Sequence, residues 1–167
     1  MQHHTASSQP STTSATRHTL ARIAAACVLG TGLLVTGVAA QAKEFVSIKG
    51  NTVNVREQPN TRSTTLWELG SGYPLQVQQR KGKWIKVRDY EAPLGWVYAP
   101  LTQKTPHRIV TARTANLRAS PTTNSKIVGK LQQNEIVRTL KNSGSWAQVR
   151  SESGRQGWVS KNLTWGW

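Results

Sequence analysis

One cysteine, one phenylalanine, one methionine, four histidines and seven acidic residues are a thin supply for a chain of 167 residues. Cys27, His3, His4 and His18 all fall within the first 42 residues. The rest of the chain therefore has no disulfide, no thiolate nucleophile and no cysteine-based zinc site. Its one histidine, His107, lies in the junction Lys104-Thr105-Pro106-His107-Arg108, where it reads as a solvated linker residue. The acids Glu44, Glu57, Glu68, Asp89, Glu91, Glu135 and Glu152 are scattered and form no spaced pair. A hydrolase usually needs a Cys–His pair, a metal cluster or a positioned carboxylic acid. The reading is therefore non-enzymatic, with no catalytic residue, no metal and no cofactor.

Residues 1–42 contain no acid. Arg17 and Arg22 precede an apolar run from Ile23 to Ala40, and Ala40-Gln41-Ala42 closes it. A basic start, an apolar middle and a small-x-small end make a secretory signal peptide, with cleavage expected after Ala42. The rival readings are an uncleaved anchor, a mitochondrial presequence and a lipoprotein at Cys27. The apolar run is short of the ~20 residues a span needs and is diluted by Gly and Thr. It is continuous rather than amphipathic, and three alanines precede Cys27. We expect an exported protein, periplasmic or extracellular, with no stable membrane span after cleavage. The leader carries two of the cations and no acid, so +13 of the +15 net charge stays with the mature chain. That excess favours anionic envelope polymers, and export disfavours nucleic acid as the partner.

What the chain has in plenty is repetition. Asn54-Val55-Arg56 and Pro59 recur as Asn116-Leu117-Arg118 and Pro121. Trp84, Val87 and Arg88 recur as Trp146, Val149 and Arg150. Gly95-Trp96-Val97 and Leu101-Thr102 recur as Gly157-Trp158-Val159 and Leu163-Thr164. Every pair is 62 residues apart, with no gap. A fixed period of this length is a duplicated small domain. The expected organisation is a first domain over 43–102, a linker over 103–106, a second domain over 107–164 and a Trp-rich tail over 165–167. A module of roughly 60 residues buries only about 60% of its unfolded surface, so docking or buried tryptophan should matter to its stability.

Within one copy the pattern is all-β. Val53-Asn54-Val55-Arg56 and Ala115-Asn116-Leu117-Arg118 alternate, with Val55 and Leu117 facing in. A polar loop follows over 57–64 and over 119–126. Lys81-Gly82-Lys83 and Asn142-Ser143-Gly144 read as hairpin turns. On the strand at Trp84, Ile85 and Val87 face in, so Trp84 faces out with Lys86 and Arg88. Trp96, one residue before inward Val97, should also start outside, and the same parity holds for Trp146 and Trp158. Two outward rings on neighbouring strands could form a ligand shelf, or could simply cover the barrel and bridge the domains. Arg56 and Arg118 are candidates either for packing on these rings or for binding an anion. Trp67 has no counterpart in the other copy and is expected near the interface. At least one ring of Trp165 and Trp167 should pack back on the domain.

Asn-Leu-Arg-x-x-Pro, Ser-Lys-Ile-Val-Gly-Lys-Leu, Trp-x-x-Val-Arg and Gly-Trp-Val resemble the bacterial SH3 (SH3b) family. The resemblance is close in the second copy. The first copy departs from it at Trp67, where the second has Gly129, and in its last loop, Asp89 to Leu94. It implies a barrel of five to seven strands and an extracytoplasmic binding role, often toward peptidoglycan or its peptides. The expected fold is therefore all-β, two tandem SH3-like barrels after a cleaved signal peptide. The expected ligand residues are Trp84, Trp96, Trp146, Trp158, Arg56 and Arg118. An adaptor that recruits an envelope hydrolase or secretion component is the alternative function.

Overall fold

The structure is a computed structural model that describes residues 42–91 and 93–167. Residues 1–41 of the expected leader lie outside the described residues. The first barrel contains β1 (Phe45–Ile48), β2 (Thr52–Arg56), β3 (Thr65–Gly70), β4 (Pro74–Lys81), β5 (Trp84–Arg88), β6 (Leu94–Tyr98) and β7 (Thr102–Gln103). The second contains β8 (His107–Val110), β9 (Thr114–Arg118), β10 (Ile127–Gln132), β11 (Ile136–Ser143), β12 (Trp146–Arg150), β13 (Gln156–Ser160) and β14 (Thr164–Gly166). Each strand of the second set begins 62 residues after its counterpart. The two sheets have one topology, β3-β2-β6-β5-β4-β1-β7 and β10-β9-β13-β12-β11-β8-β14. Even the irregularities repeat: a bulge in β4 between Val77 and Gln79 returns in β11 between Thr139 and Lys141. Both barrels belong to one compact unit.

Alternation builds each core. Val53 and Val55 of β2, Ile85 and Val87 of β5, and Val97 of β6 are buried together with Val46, Ile48, Leu69 and Leu75. Ala115, Leu117, Ala147, Val149 and Val159 do the same in the second barrel, with Val110, Leu131 and Val137. Burying each such aliphatic side chain contributes about 1.5–3 kcal/mol. The glycine of each Gly-Trp-Val run has a steric cause. A Cβ on Gly157 would sit 2.6 Å from Leu117 Cγ and 2.8 Å from the Arg118 carbonyl oxygen, so β13 can cross β9 only without a side chain there.

Expected near the interface, Trp67 makes its described packing contacts within its own barrel. It packs on the core of its own barrel, with Cη2 3.2 Å from where a Gly95 Cβ would be. The second barrel fills the same region differently. There the larger Leu117 replaces Val55, and it lies 3.6 Å from the position of a Gly129 Cβ. Leu117 adds one methylene where Gly129 removes a whole indole, so the second copy puts less apolar volume here, and the Arg155 guanidinium, 3.5 Å from the position of a Gly129 Cβ, lies over the space.

The junction is tightly held. Ser47 Oγ of the first barrel donates to the Thr105 carbonyl at 2.8 Å, and Thr139 N of the second donates to the Pro106 carbonyl at 2.9 Å. Strand pairing reaches further than the expected boundaries. β7 includes Gln103, and residues 164–166 form β14 against β8, so the expected tail is the closing strand of the second barrel. Both of its tryptophans meet the first barrel. Phe45 packs edge-on to Trp165 at 5.0 Å and stacks on Trp167 at 5.6 Å. The divergent loop of the first copy also crosses, since the Tyr90 hydroxyl donates to Asn134 Oδ1 at 2.9 Å. His107, expected as a solvated linker residue, instead opens β8 and is half-buried. Gly72 leaves room for it: its φ is +76°, and a Cβ there would lie 3.0 Å from the imidazole.

Candidate functional site

The same groove occurs on both barrels. In the first it is lined by Thr52, Val53, Asn54 and Arg56 of β2, Thr61 of the following loop, Trp84 and Tyr98, and Leu101, with a cavity of about 220 Å³. In the second the lining is Thr114, Asn116, Arg118, Thr123, Trp146, Ser160 and Leu163, with about 160 Å³. Seven of the eight residues of the first groove have their repeat counterpart in the second, Val53 being the exception, and six of those seven are identical, the seventh being Tyr98 against Ser160.

One wall is the polar loop, and its shape is fixed in the same way twice. Arg56 Nη1 donates to the Ser63 carbonyl at 2.7 Å, and Arg118 Nη1 donates to the Ser125 carbonyl at 2.7 Å. Inside each loop Gln58 N donates to Ser63 Oγ, and Ser120 N to Ser125 Oγ, both at 2.8 Å. With the Asn54 amide turned over, its oxygen accepts from Arg56 Nη2 at 3.3 Å and its nitrogen donates to Glu68 at 3.2 Å. The arginines are thus first of all clamps on the groove wall. A hydrogen bond from a charged donor is roughly twice as strong as one between neutral groups.

Trp84 and Trp146 are half-buried and form the floor opposite that wall. Trp84 lies directly across from Tyr98 in the β5–β6 pair, with rings edge to face at 5.4 Å. Trp146 faces Ser160 instead, so the second groove has one ring where the first has two. On the first barrel the expected shelf of two tryptophans is not open, because one of the two rings is buried. Trp96 is only 8% exposed, and neither it nor Trp158 lines a groove. The parity argument put Trp96 on the outer face but missed what stands beside it. β6 runs between β2 and β5, so its ring is in register with Arg56 on one side and Lys86 on the other. Long cationic side chains cover apolar surface with their methylene stems. Trp158, in register with Arg118 and the shorter Gln148, is more open.

Beside the first barrel's last loop, Asp89 is buried and accepts from Glu91 N at 2.9 Å and from the Tyr73 hydroxyl at 3.4 Å. Burial first, and then the Asp89 carboxylate, push Tyr73 well above its ordinary pKa, which keeps it a donor. Glu44 pairs with Arg80 at 2.6 Å. Among the described residues no three His, Cys, Asp or Glu side chains are grouped to hold a metal ion, and no helix is long and apolar enough to cross a membrane.

Two seven-stranded barrels of one topology, each with a groove between its strand-2 loop and a strand-5 tryptophan, define a tandem small-barrel protein of the SH3 type. Residues 49–104 and 113–164 each match the Bacterial SH3 domain family, and the chain belongs to it. No curated protein matches the chain. Among solved structures it is similar to NlpC2 from Trichomonas vaginalis (15% identity, covering 75% of this chain and 48% of that one, TM-score 0.35). It is also similar to an NlpC/P60 family protein from Bacillus cereus ATCC 10987 (17%, 74% and 56%, TM-score 0.33). A third is the endolysin LysPBC5 CBD (14%, 73% and 92%, TM-score 0.32). The chain spans about half the length of the NlpC proteins.

Proposed function

We propose that this chain is an exported, non-enzymatic binding protein whose two bacterial SH3 modules recognise peptidoglycan peptides through the paired grooves. The observation that carries this reading is the recurrence of one groove, with the same threonines, asparagine, arginine and tryptophan, on both barrels. A volume of 160–220 Å³ is the room of roughly five to seven water molecules, which suits a side chain or short peptide segment rather than a folded partner. Trp84 or Trp146 supplies an apolar floor, and the amides of Asn54 or Asn116 and the free edge of the clamping arginine supply polar contacts. Export rests on the leader and localises the protein to the envelope. Of the net charge of +15, the excess left after the leader's Arg17 and Arg22 is spread over both copies and concentrates the protein near anionic wall polymers.

The test is binding to purified sacculi by the full mature chain, with W84A, W146A and the double variant. Each single change should weaken retention, and the double should abolish it while the protein stays folded. Retention that is lost at 1 M salt, where the Debye length is about 3 Å, and that ignores both substitutions would assign binding to charge alone. Retention of an envelope protein but not of sacculi would assign it to the adaptor role.

A further inference from the structure

A row of side chains runs across the outer surface of the second barrel, where it faces the first. β8, β11, β12 and β13 bring His107, Arg138, Arg150 and Gln156 directly opposite one another in sequence. The equivalent row of the first barrel is Phe45, Gln76, Arg88 and Leu94. There Arg88 Nη2 donates to Gln76 Oε1 at 3.0 Å, so the single guanidinium has a neutral partner beside it. In the second barrel an arginine replaces that glutamine. Like charges directly opposite on antiparallel strands are destabilising. Among the described residues no carboxylate lies within ion-pair distance of Arg138 or Arg150. With its amide turned over, Gln156 accepts from Arg150 Nε at 3.1 Å and Nη2 at 2.9 Å, which aims that guanidinium.

The row does not face open solvent alone. His107, Arg138 and Arg150 line an open cleft of about 590 Å³ between the barrels, to which Ser71 and Gly72 of the first also contribute. Two adjacent guanidinium forks, one held by an amide, with hydroxyl and amide groups around them, match the planar bidentate geometry of a carboxylate. Glu135 and Glu152 also line the cavity. They would repel a polyphosphate chain running through it, but they tolerate a ligand that bears a single anionic end.

We propose that the cleft between the barrels is a binding site for the free carboxylate of a short peptide, held by Arg138 and Arg150. It is separate from the two grooves and stands or falls apart from them, because neither arginine lines a groove. The test uses the full mature chain titrated with N-acetyl-trialanine, its C-terminal amide, and inorganic polyphosphate, followed by two-dimensional NMR that includes the arginine side-chain resonances. The free acid should shift Arg138 and Arg150 resonances, and the amide should bind at least tenfold more weakly. R138Q restores the first barrel's pairing and leaves the groove residues in place. It should weaken the free acid at least tenfold with no loss of thermal stability, while W84A/W146A should leave this binding unchanged. Equal binding of acid and amide, or an R138Q variant that is folded and binds as the wild type, would overturn the proposal. Polyphosphate that binds more tightly than the acid and loses affinity in R138Q would overturn it in favour of a phosphate polymer.

Discussion

Phe45→Ala tests whether the aromatic contact between the barrels carries energy. Phe45 is half-buried between Trp165 and Trp167, at 5.0 and 5.6 Å. Truncating a fully buried phenylalanine costs about 3–5 kcal/mol. Half-burial scales this to about 2 kcal/mol, which includes two aromatic pairs worth roughly 0.5–1.5 kcal/mol each beyond area. For a unit of this size the midpoint of thermal unfolding should fall by roughly 5–12 °C. Near-ultraviolet circular dichroism reads the loss of ordered tryptophan directly. A double-mutant cycle with Trp165→Ala should return a coupling of about 0.5–1.5 kcal/mol. A shift below about 2 °C with zero coupling would mean that the rings touch without contributing. The junction hydrogen bonds from Ser47 and Thr139 would then be what holds the barrels together.

Three further outcomes follow from side chains that differ between the copies or that crowd the core. Arg108 occupies the place of Val46, is 6% exposed, and among the described residues its side chain pairs with Thr164 Oγ1 alone, at 3.2 Å, with Nε left without a partner. Arg108→Val should therefore raise stability by about 1–2 kcal/mol in denaturant titration, since Thr164 keeps its bond to the Lys161 carbonyl. Gly157→Ala should lose about 1–3 kcal/mol by forcing a Cβ against Leu117 and Arg118. Burial, with the charge of Arg138 adding to it and the Thr105 carbonyl opposing it, holds His107 below its ordinary pKa. The unfolded chain then binds the proton first, so this contribution is fully present above about pH 6.5 and is lost as pH falls toward the lowered folded value. In His107→Phe, which copies Phe45, the midpoint of unfolding should lose that part of its slope as pH falls below about 6.5.

The duplication was legible because the period is constant, and period-2 alternation was enough to put Val55, Leu117, Ile85 and Val87 inside. Parity failed at Trp96 for a definite reason. It reports which face a side chain leaves from, but cover depends on the neighbouring strands, and the flanking Arg56 and Lys86 are fixed only by the β2-β6-β5 order. The interface was illegible for the same kind of reason. Trp165 and Trp167 looked like a tail because the pairing of β14 with β8 is non-local, and nothing near them in sequence names Phe45. His107 looked solvated beside Pro106, yet its strand begins immediately after that proline. The loop clamps, Arg56 to Ser63 and Arg118 to Ser125, were visible as a repeated arginine, but their target was a backbone carbonyl that no side-chain motif records.

Comparing the copies separates what packing requires from what binding would require. Of the nine core positions of the first barrel only Leu69, Val87 and Val97 keep the same residue in the second, as Leu131, Val149 and Val159. The second core is built from smaller side chains, with Ala115 for Val53, Ala147 for Ile85 and only Leu117 for Val55 larger. The groove, which is mostly surface, keeps every paired residue except Tyr98. Surface positions away from special features tolerate change within about 0.5 kcal/mol, so stability alone does not hold them constant. The arginine has a structural duty in the loop, but a half-buried tryptophan over a groove has no such clamp to make. Opposite behaviour marks the row that faces the junction, where Phe45, Gln76 and Leu94 have become His107, Arg138 and Gln156. One template therefore presents a repeated surface and a divergent one. The repeated groove fits a ligand met twice along a polymer, and the divergent cleft fits a group that the pair of barrels meets once.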